Sequence, residues 1–113
     1  MSPERVQPSE VGPVLLVGRV TDAIVAAIRK QNAGARVSLR GSYVRVSVPE
    51  RCEVESAVVQ QILGERFHMI QDLERVMASF RGRLSLSEDA ACWEVGAPPA
   101  SATATATPIG ARR

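Results

Sequence analysis

The sequence predicts an α+β fold, with helices packed on a mostly antiparallel sheet. Apolar residues recur every three to four positions in three segments and every second position in four others, which are the periods of amphipathic helices and half-buried strands. The predicted order is strand, helix, strand, strand, helix, helix, strand, strand, or two strand–helix–hairpin-like units without sequence identity between them. Helices segregated from strands in this way are typical of a layer of helices on a sheet.

The first unit begins with a short apolar strand, Pro13–Val17, and a helix over Val20–Gln31 whose apolar residues form one stripe. Two alternating segments, 36–40 and 43–48, flank Gly41-Ser42 and predict a β-hairpin with a two-residue turn. One face of this hairpin is expected to be buried and the other to face solvent or a partner.

The second unit is predicted to contain a helix over 53–63, a loop over 65–69 and a helix over 70–78. Alternating apolar residues then predict two short strands, one around Leu84 and Leu86 and one over 91–95. Both helices carry an apolar stripe that needs a sheet to pack on.

The chain length of 113 residues fits one domain. Residues 1–10 are polar, contain two prolines and are predicted to form a flexible arm. Residues 96–113 form a Pro/Ala/Thr-rich tail that has little to bury and is predicted to be disordered. The folded domain is therefore expected over residues 11–95.

The net charge of +2 equals the contribution of Arg112 and Arg113, and the rest of the chain has neither a basic stripe nor an acidic block. Nucleic acid and anionic membranes are therefore not expected partners. No apolar stretch reaches the roughly 18 residues of a membrane-spanning helix, and the N-terminus lacks an apolar signal core. Two cysteines do not make a disulfide framework, so a reduced, cytoplasmic protein is expected.

The sequence contains none of the motifs that would indicate nucleotide binding, hydrolysis or zinc-dependent proteolysis. His68 is the only histidine and has no local catalytic signature around it, so a loop histidine is the favoured interpretation. The spacing of Cys52 and Cys92 from His68 in the sequence matches no known pattern of metal ligands. Cys52 precedes a predicted helix, which can lower a thiol pKa, but a small buried residue is favoured.

Two pairs of carboxylates, Glu53/Glu55 and Glu88/Asp89, are the candidates for acid–base groups in this sequence. The first pair opens a predicted helix, where negative charge suits the positive end of the helix dipole. The second pair lies in a predicted turn. Neither has apolar surroundings that would raise a carboxyl pKa, so solvated surfaces are expected for both.

Short landmarks follow one another in a specific order over the folded domain, although each is weak by itself. They are Val11–Leu15, Asp22–Ile24, Ala27-Ile28, Gly41, Tyr43–Val46, Leu63-Gly64, Phe67, Leu73-Glu74, Ser79–Leu84 and Trp93. In this order and spacing they resemble the small coupling, or effector, proteins that regulate bacterial soluble di-iron monooxygenases, the enzymes that oxidise methane, phenol, toluene or alkenes.

The resemblance implies a regulatory chain without metal or organic cofactor that docks on a di-iron hydroxylase. Docking is expected to tune access of oxygen and substrate and to couple NADH oxidation to hydroxylation or epoxidation. A flavin/iron–sulfur reductase and, in some systems, a Rieske ferredoxin are the other components. The resemblance also suggests a set of exposed side chains for the hydroxylase contact: Tyr43, Arg45, Phe67, His68, Met69, Arg81 and Arg83.

Two other functions are compatible with parts of this pattern. A ferredoxin-like domain that binds a small molecule would also have helices on one face of an antiparallel sheet. It would require a ligand pocket, however, and the two helices predicted over 53–78 are an insert that is not expected in such a domain. A small isomerase that uses Cys52 or His68 would need a nucleophile and a base in a recognisable arrangement, which the sequence lacks.

Overall fold

The computed structural model describes residues 10–95, which form three helices and seven strands. In chain order these are β1 (Glu10–Leu16), α1 (Arg19–Gln31), β2 (Arg36–Arg40), β3 (Tyr43–Pro49), β4 (Arg51–Glu55), α2 (Ser56–Leu63), α3 (Met69–Val76), β5 (Met77–Arg81), β6 (Arg83–Leu86) and β7 (Ala90–Glu94). The predicted α+β class is confirmed. The predicted arm and tail lie outside the described residues, except that Glu10 already belongs to β1.

The first sheet has four antiparallel strands in the order β2-β3-β1-β5. The predicted hairpin is present, with Arg40 paired to Tyr43 across Gly41 and Ser42. The first strand of the chain is therefore an inner strand, flanked by β3 and β5.

The second sheet has three antiparallel strands in the order β4-β7-β6. Its inner face contributes Cys52 and Val54 from β4 and Ala91 and Trp93 from β7, all with no measurable exposure. Cys92 faces the other side of the same strand and is half-buried, as the alternation with Trp93 predicts.

Strands β4 and β5 were not expected from the sequence. The helix predicted to begin at Glu53 begins instead at Ser56, because Cys52 and Val54 are buried alternately with exposed neighbours in a strand. The helix predicted to continue to 78 ends at Val76, and the next five residues pair with the second edge of β1. In both places strand pairing with distant residues overrides a local helical period.

The core is enclosed by the inner faces of the two sheets and by the three helices. The predicted stripe of α1 is confirmed, since Ala23, Ile24, Ala27 and Ile28 are all buried. Val59 of α2 and Leu73 of α3 join the same cluster. Each large aliphatic side chain buried in this way contributes about 1.5–3 kcal/mol. Among the helices of residues 10–95, none has the length and apolar character needed to cross a membrane.

Gly82 connects the two sheets, between the end of β5 and the start of β6. Its φ is +102°, and a Cβ atom there would lie 2.7 Å from Val11 Cγ1 and 2.8 Å from the carbonyl oxygen of Glu94. Because both distances are shorter than real Cβ contacts, only glycine lets the chain pass from one sheet to the other at this point.

Candidate interaction surface

Three of the seven predicted contact residues lie together on the face of the first sheet that points away from the helices. On β1, Val14 pairs with Arg45 of β3, and Leu16, two residues further on, pairs with Tyr43 of β3. On the other side of β1, Arg81 of β5 pairs with Gly12. Since alternate residues of a strand share a face, Tyr43, Arg45 and Arg81 point the same way, and all three are exposed.

Phe67 and Met69 are not surface residues, so the expectation that they are exposed is wrong. Phe67 is 5% exposed and Met69 1% exposed, and both belong to the hydrophobic core. The backbone N–H of Phe67 donates to Gln60 Oε1 at 3.0 Å, which holds the loop against α2. Burial removes both apolar side chains from water, which is favourable, and the sequence has few other aromatic residues that could fill the same space.

His68 and Arg83 are exposed but lie away from the other three residues. His68 precedes α3, and its backbone N–H donates to Asp72 Oδ2 at 2.8 Å. Arg83 projects from the outer side of the second sheet, 3.9 Å from a carboxylate oxygen of Glu94. The seven predicted contact residues therefore do not form one surface.

We call the exposed side of the first sheet the outer sheet face. By the strand pairing it carries four arginines, one glutamate, one tyrosine, three serines, two aliphatic residues, one proline and one glycine: Arg36, Arg40, Arg45, Arg81, Glu10, Tyr43, Ser38, Ser47, Ser79, Val14, Leu16, Pro49 and Gly12. Its net charge is +3, whereas the whole chain carries +2. This face therefore carries an excess of positive charge.

Among residues 10–95, one arginine of the outer sheet face is neutralised by a neighbour. Arg36 forms an ion pair with Glu10, whose side chain is 9% exposed. Within residues 10–95, the guanidinium groups of Arg40, Arg45 and Arg81 form no ion pair. Three cations thus face solvent from one side of one sheet.

A notch interrupts the outer sheet face at Gly12. Strands β1 and β3 pair on either side of Gly12 and Pro13 but not at these two residues. Gly12 has a φ of +143°, and a Cβ there would lie 2.3 Å from the carbonyl oxygen of Val46. A cavity of about 70 Å³ lies at this point, and the residues that line it include Arg45, Ser79 and Arg81.

Exposed apolar side chains collect at the end of the first sheet nearest the hairpin turn. Leu16, Val17, Leu39 and Tyr43 are 39%, 50%, 66% and 44% exposed. The backbone N–H of Val17 donates to the carbonyl oxygen of Ser42 at 2.9 Å, which fixes the end of β1 beside the turn. A cluster of exposed apolar groups rimmed by charged residues is typical of protein-binding surfaces.

The outer side of the second sheet is different, because its charges pair with one another. Arg51 bonds to Glu94 and, at 3.2 Å, to Glu53, and Arg83 lies on the other side of Glu94. Ion pairs at exposed positions contribute little to stability, but they leave this surface without a strong field of one sign.

Neither thiol has the properties of a nucleophile. Burial raises the pKa of Cys52 to about 12, and burial also raises the pKa of Cys92. Thiolate, the reactive form, is therefore suppressed at neutral pH. Residues 10–95 contain no group of three or more His, Cys, Asp or Glu side chains placed to hold a metal ion.

Comparison with known proteins assigns the chain to a family. The model of the MmoB/DmpM family matches residues 9–94. The chain belongs to this family. The effector subunit of the alkene monooxygenase system of Xanthobacter autotrophicus (strain ATCC BAA-1158 / Py2) is 36% identical over 85 residues, which are 74% of this chain and 83% of that protein.

Solved structures with the same fold come from two monooxygenase systems. A chain of a phenol hydroxylase–regulatory protein complex has a TM-score of 0.68 at 16% identity, covering 75% of this chain and 97% of that chain. The regulatory protein B of soluble methane monooxygenase has a TM-score of 0.63 at 18% identity, covering 91% and 79%. The relatives are named effector or regulatory proteins, not catalytic components, which confirms the prediction of a regulatory chain.

The ferredoxin-like alternative also required a pocket for a small molecule. In this MmoB/DmpM protein a cleft of about 540 Å³ lies beside the end of α2 and is lined by Ala57, Gln60, Gln61, Gly64, Glu65 and Arg66. All six residues are exposed. Small-molecule sites are typically enclosed and mostly apolar, so this open polar cleft does not favour the alternative.

Several residues of the outer sheet face were not expected from the sequence, notably Arg36, Arg40, Gly12 and Leu16. The alternation over 36–40 contains the signal for the two arginines, because their parity is opposite to that of Val37 and Leu39. Gly12 and Leu16 join the face only because β1 is an inner strand, and no local pattern predicts which strands flank it.

Proposed function

We propose that this MmoB/DmpM protein is the effector component of a multicomponent monooxygenase, and that it binds a di-iron hydroxylase. The observation that supports this most strongly is the 36% identity with an alkene monooxygenase effector subunit over 83% of that protein. The phenol hydroxylase–regulatory protein complex, whose chain has the same fold, provides an example of such an assembly. A reductase and a Rieske ferredoxin are proposed as further components of the system.

In this proposal the chain tunes access of oxygen and substrate to the hydroxylase and couples NADH oxidation to hydroxylation or epoxidation. It does so without chemistry of its own, by binding one conformation of the hydroxylase better than another. A ligand shifts such an equilibrium only by its differential affinity, and a tenfold shift requires about 1.4 kcal/mol. A rigid surface of modest size is sufficient for an effect of this magnitude.

The contact is proposed to include Tyr43, Arg45 and Arg81, which share the outer sheet face. His68 and Arg83 stay predictions of hydroxylase contact on other parts of the surface. Phe67 and Met69 are not part of the proposed contact, since both are core residues.

The test is steady-state turnover of the hydroxylase that is encoded with this chain, supplied with its own electron donors and titrated with the purified protein. Product formation and NADH consumption are measured in the same samples. We expect product formation to rise many-fold and saturate near one copy per active site, and the ratio of product to NADH consumed to rise with it. The heat-unfolded protein at the same concentration is the control.

A rise in product without a change in the ratio of product to NADH would support binding but contradict the coupling role. Unchanged turnover, together with the absence of a complex on size-exclusion chromatography, would contradict the proposed function as a whole.

A further inference from the structure

We propose that the outer sheet face is the surface that docks on the hydroxylase, and that the notch over Gly12 receives a carboxylate side chain of the hydroxylase between Arg45 and Arg81. The inference rests on the proposed function and goes further, because it names the surface and the chemistry of the partner. The partner surface is an acidic patch of protein that also offers apolar contact.

Charge is the first argument for this surface. The outer sheet face holds a net +3, so the remaining residues of the chain together carry −1. Three of its arginines form no ion pair with residues 10–95, so their charge is available to a partner. A field of one sign steers the approach of an oppositely charged protein and selects against other partners.

The chemistry of the cations points to a carboxylate. Arg40, Arg45 and Arg81 are all arginines, whose planar guanidinium groups bind carboxylates through two parallel hydrogen bonds. Arginine and tyrosine are also the residue types enriched at the energetic centres of protein interfaces. Tyr43 stands on the same face, 44% exposed.

The notch supplies a place for one such carboxylate. Arg45 and Arg81 lie on strands that flank β1, so their backbones are about 10 Å apart, and both residues line the notch. Gly12 is among the residues that line the notch, whose volume is about 70 Å³. This volume suits one carboxylate side chain and is far below the roughly 300 Å³ of a small-molecule pocket.

Apolar surface at the hairpin end completes the docking site. Leu16 and Tyr43 pair across β1 and β3 on the outer sheet face, where they are 39% and 44% exposed. An apolar centre with a charged rim is the ordinary construction of a protein interface. Nucleic acid and anionic membranes would use the arginines but not this apolar cluster in the same way.

The experiment measures equilibrium binding of the hydroxylase to charge-reversal variants by isothermal titration calorimetry. Arg45→Glu and Arg81→Glu change the outer sheet face, whereas Arg29→Glu in α1 and Arg75→Glu in α3 make the same change of net charge at exposed positions on helices. We expect each outer-face reversal to raise the Kd about tenfold or more, and each helix reversal to change it less than about threefold. Circular dichroism checks that every variant is folded.

The notch is tested without changing charge. Ser79 is exposed and lines the notch, so Ser79→Phe fills it, whereas Ser38→Phe adds the same bulk to the edge strand β2 outside the notch. We expect Ser79→Phe to weaken binding more than Ser38→Phe. Equal effects of the two phenylalanines would overturn the assignment of the notch.

The outcomes separate this inference from the proposed function. If the wild-type chain does not bind the hydroxylase, the proposed function fails. If it binds, but the reversals at Arg45 and Arg81 weaken binding no more than those at Arg29 and Arg75, the proposed function stands and the docking surface is overturned. Binding of the wild-type chain, but not of the Arg45 and Arg81 variants, to phosphatidylserine vesicles in place of the hydroxylase would overturn the choice of partner.

Discussion

The side-chain amide of Asn32 pairs with the backbone of Glu53 in the way that a neighbouring strand would. Asn32 Nδ2 donates to the carbonyl oxygen of Glu53 at 2.7 Å, and the backbone N–H of Glu53 donates to Asn32 Oδ1 at 2.9 Å. The same Nδ2 also donates to the carbonyl oxygen of Ile28 at 2.8 Å, at the end of α1. One side chain thus closes both the free edge of β4 and the last turn of the first helix.

Replacing Asn32 tests whether this contact joins the two elements. Asn32→Ala removes three hydrogen bonds and leaves half-buried backbone groups without partners, so we expect a loss of about 2–3 kcal/mol in the free energy of unfolding. Asn32→Asp keeps the shape but replaces the donor by a negative charge at a helix C-terminus and beside a carbonyl oxygen. It should be at least as destabilising as alanine. Urea denaturation followed by circular dichroism measures both values.

Gln31→Ala is the matched control for Asn32. Gln31 accepts one hydrogen bond, from the backbone N–H of Glu55 at 2.9 Å, at an exposed position. Because water can replace this partner, we expect a loss below about 1 kcal/mol. Equal losses at the two neighbouring positions would contradict the role given to Asn32.

Gly82 is predicted to tolerate no side chain, because of close contacts in addition to its backbone conformation. A Cβ would lie 2.7 Å from Val11 Cγ1 and 2.8 Å from the carbonyl oxygen of Glu94. Gly64 ends α2 with a φ of +83°, and no neighbouring atom of residues 10–95 lies within 4 Å of the position that a Cβ would take there. Gly64→Ala should therefore cost only about 1 kcal/mol for the left-handed conformation, whereas Gly82→Ala should cost about 3 kcal/mol or more.

Chemical denaturation of the two alanine variants checks the Gly82 prediction. The difference between their free energies of unfolding measures the cost of the contacts alone, since both glycines have a positive φ. Equal losses would mean that the two sheets can move apart at Gly82 without cost.

The hairpin and α1 could be predicted from the sequence because the information is local. Alternating valines on both sides of Gly41-Ser42 specify the register of β2 and β3, and the stripe from Ala23 to Ile28 specifies the buried side of the helix. In these segments propensity, period and turn residues all indicate the same structure.

Strands β4 and β5 could not be predicted because their pairing partners are distant in sequence. Cys52 pairs with Trp93, and Gly12 with Arg81. Nothing in residues 51–55 or 77–81 identifies those partners, and the helical periods that follow β4 and precede β5 obscure the alternation within each strand. The conformation at these segments depends on tertiary contacts.

For the same reason, the positions of the proposed contact residues on the surface could be predicted only in part. Tyr43 and Arg45 follow from hairpin parity, but Arg81 joins them only through the pairing of β5 with β1. Phe67 and Met69 look equally suited to a surface loop or to the core, and their burial depends on how α2 and α3 are placed. Loop composition alone does not distinguish these alternatives.

Cys52 should make the stability of the protein fall at alkaline pH. Its pKa rises from an ordinary value of 9.0 to about 12 because burial disfavours the thiolate. Between these values the folded state keeps a proton that the unfolded state has lost, so raising the pH favours unfolding. The contribution is fully present below pH 9 and declines by about 1.4 kcal/mol per pH unit from there towards pH 12.

Denaturant titrations at several pH values between 8 and about 11 measure this decline. Other groups also titrate in this range, so the test is the difference between the wild-type chain and Cys52→Ala. The alanine variant should be less stable at pH 8 because of the cavity, and the gap should narrow as the pH rises. A gap that stays constant would contradict the raised pKa.

Trp93 is the only tryptophan of the chain and has no measurable exposure, yet its indole N–H has no hydrogen-bond partner among residues 10–95. An unpaired buried donor costs about 1–3 kcal/mol, so replacing the indole by a phenyl ring removes this penalty while it leaves a small cavity. We therefore expect Trp93→Phe to lower the free energy of unfolding by less than about 2 kcal/mol, and Trp93→Ala by about 3–5 kcal/mol. Circular dichroism in urea measures both, because neither variant retains a fluorescent indole. If Trp93→Phe is as costly as Trp93→Ala, the N–H makes a stabilising bond in solution, and an ordered water molecule in the core is its expected partner.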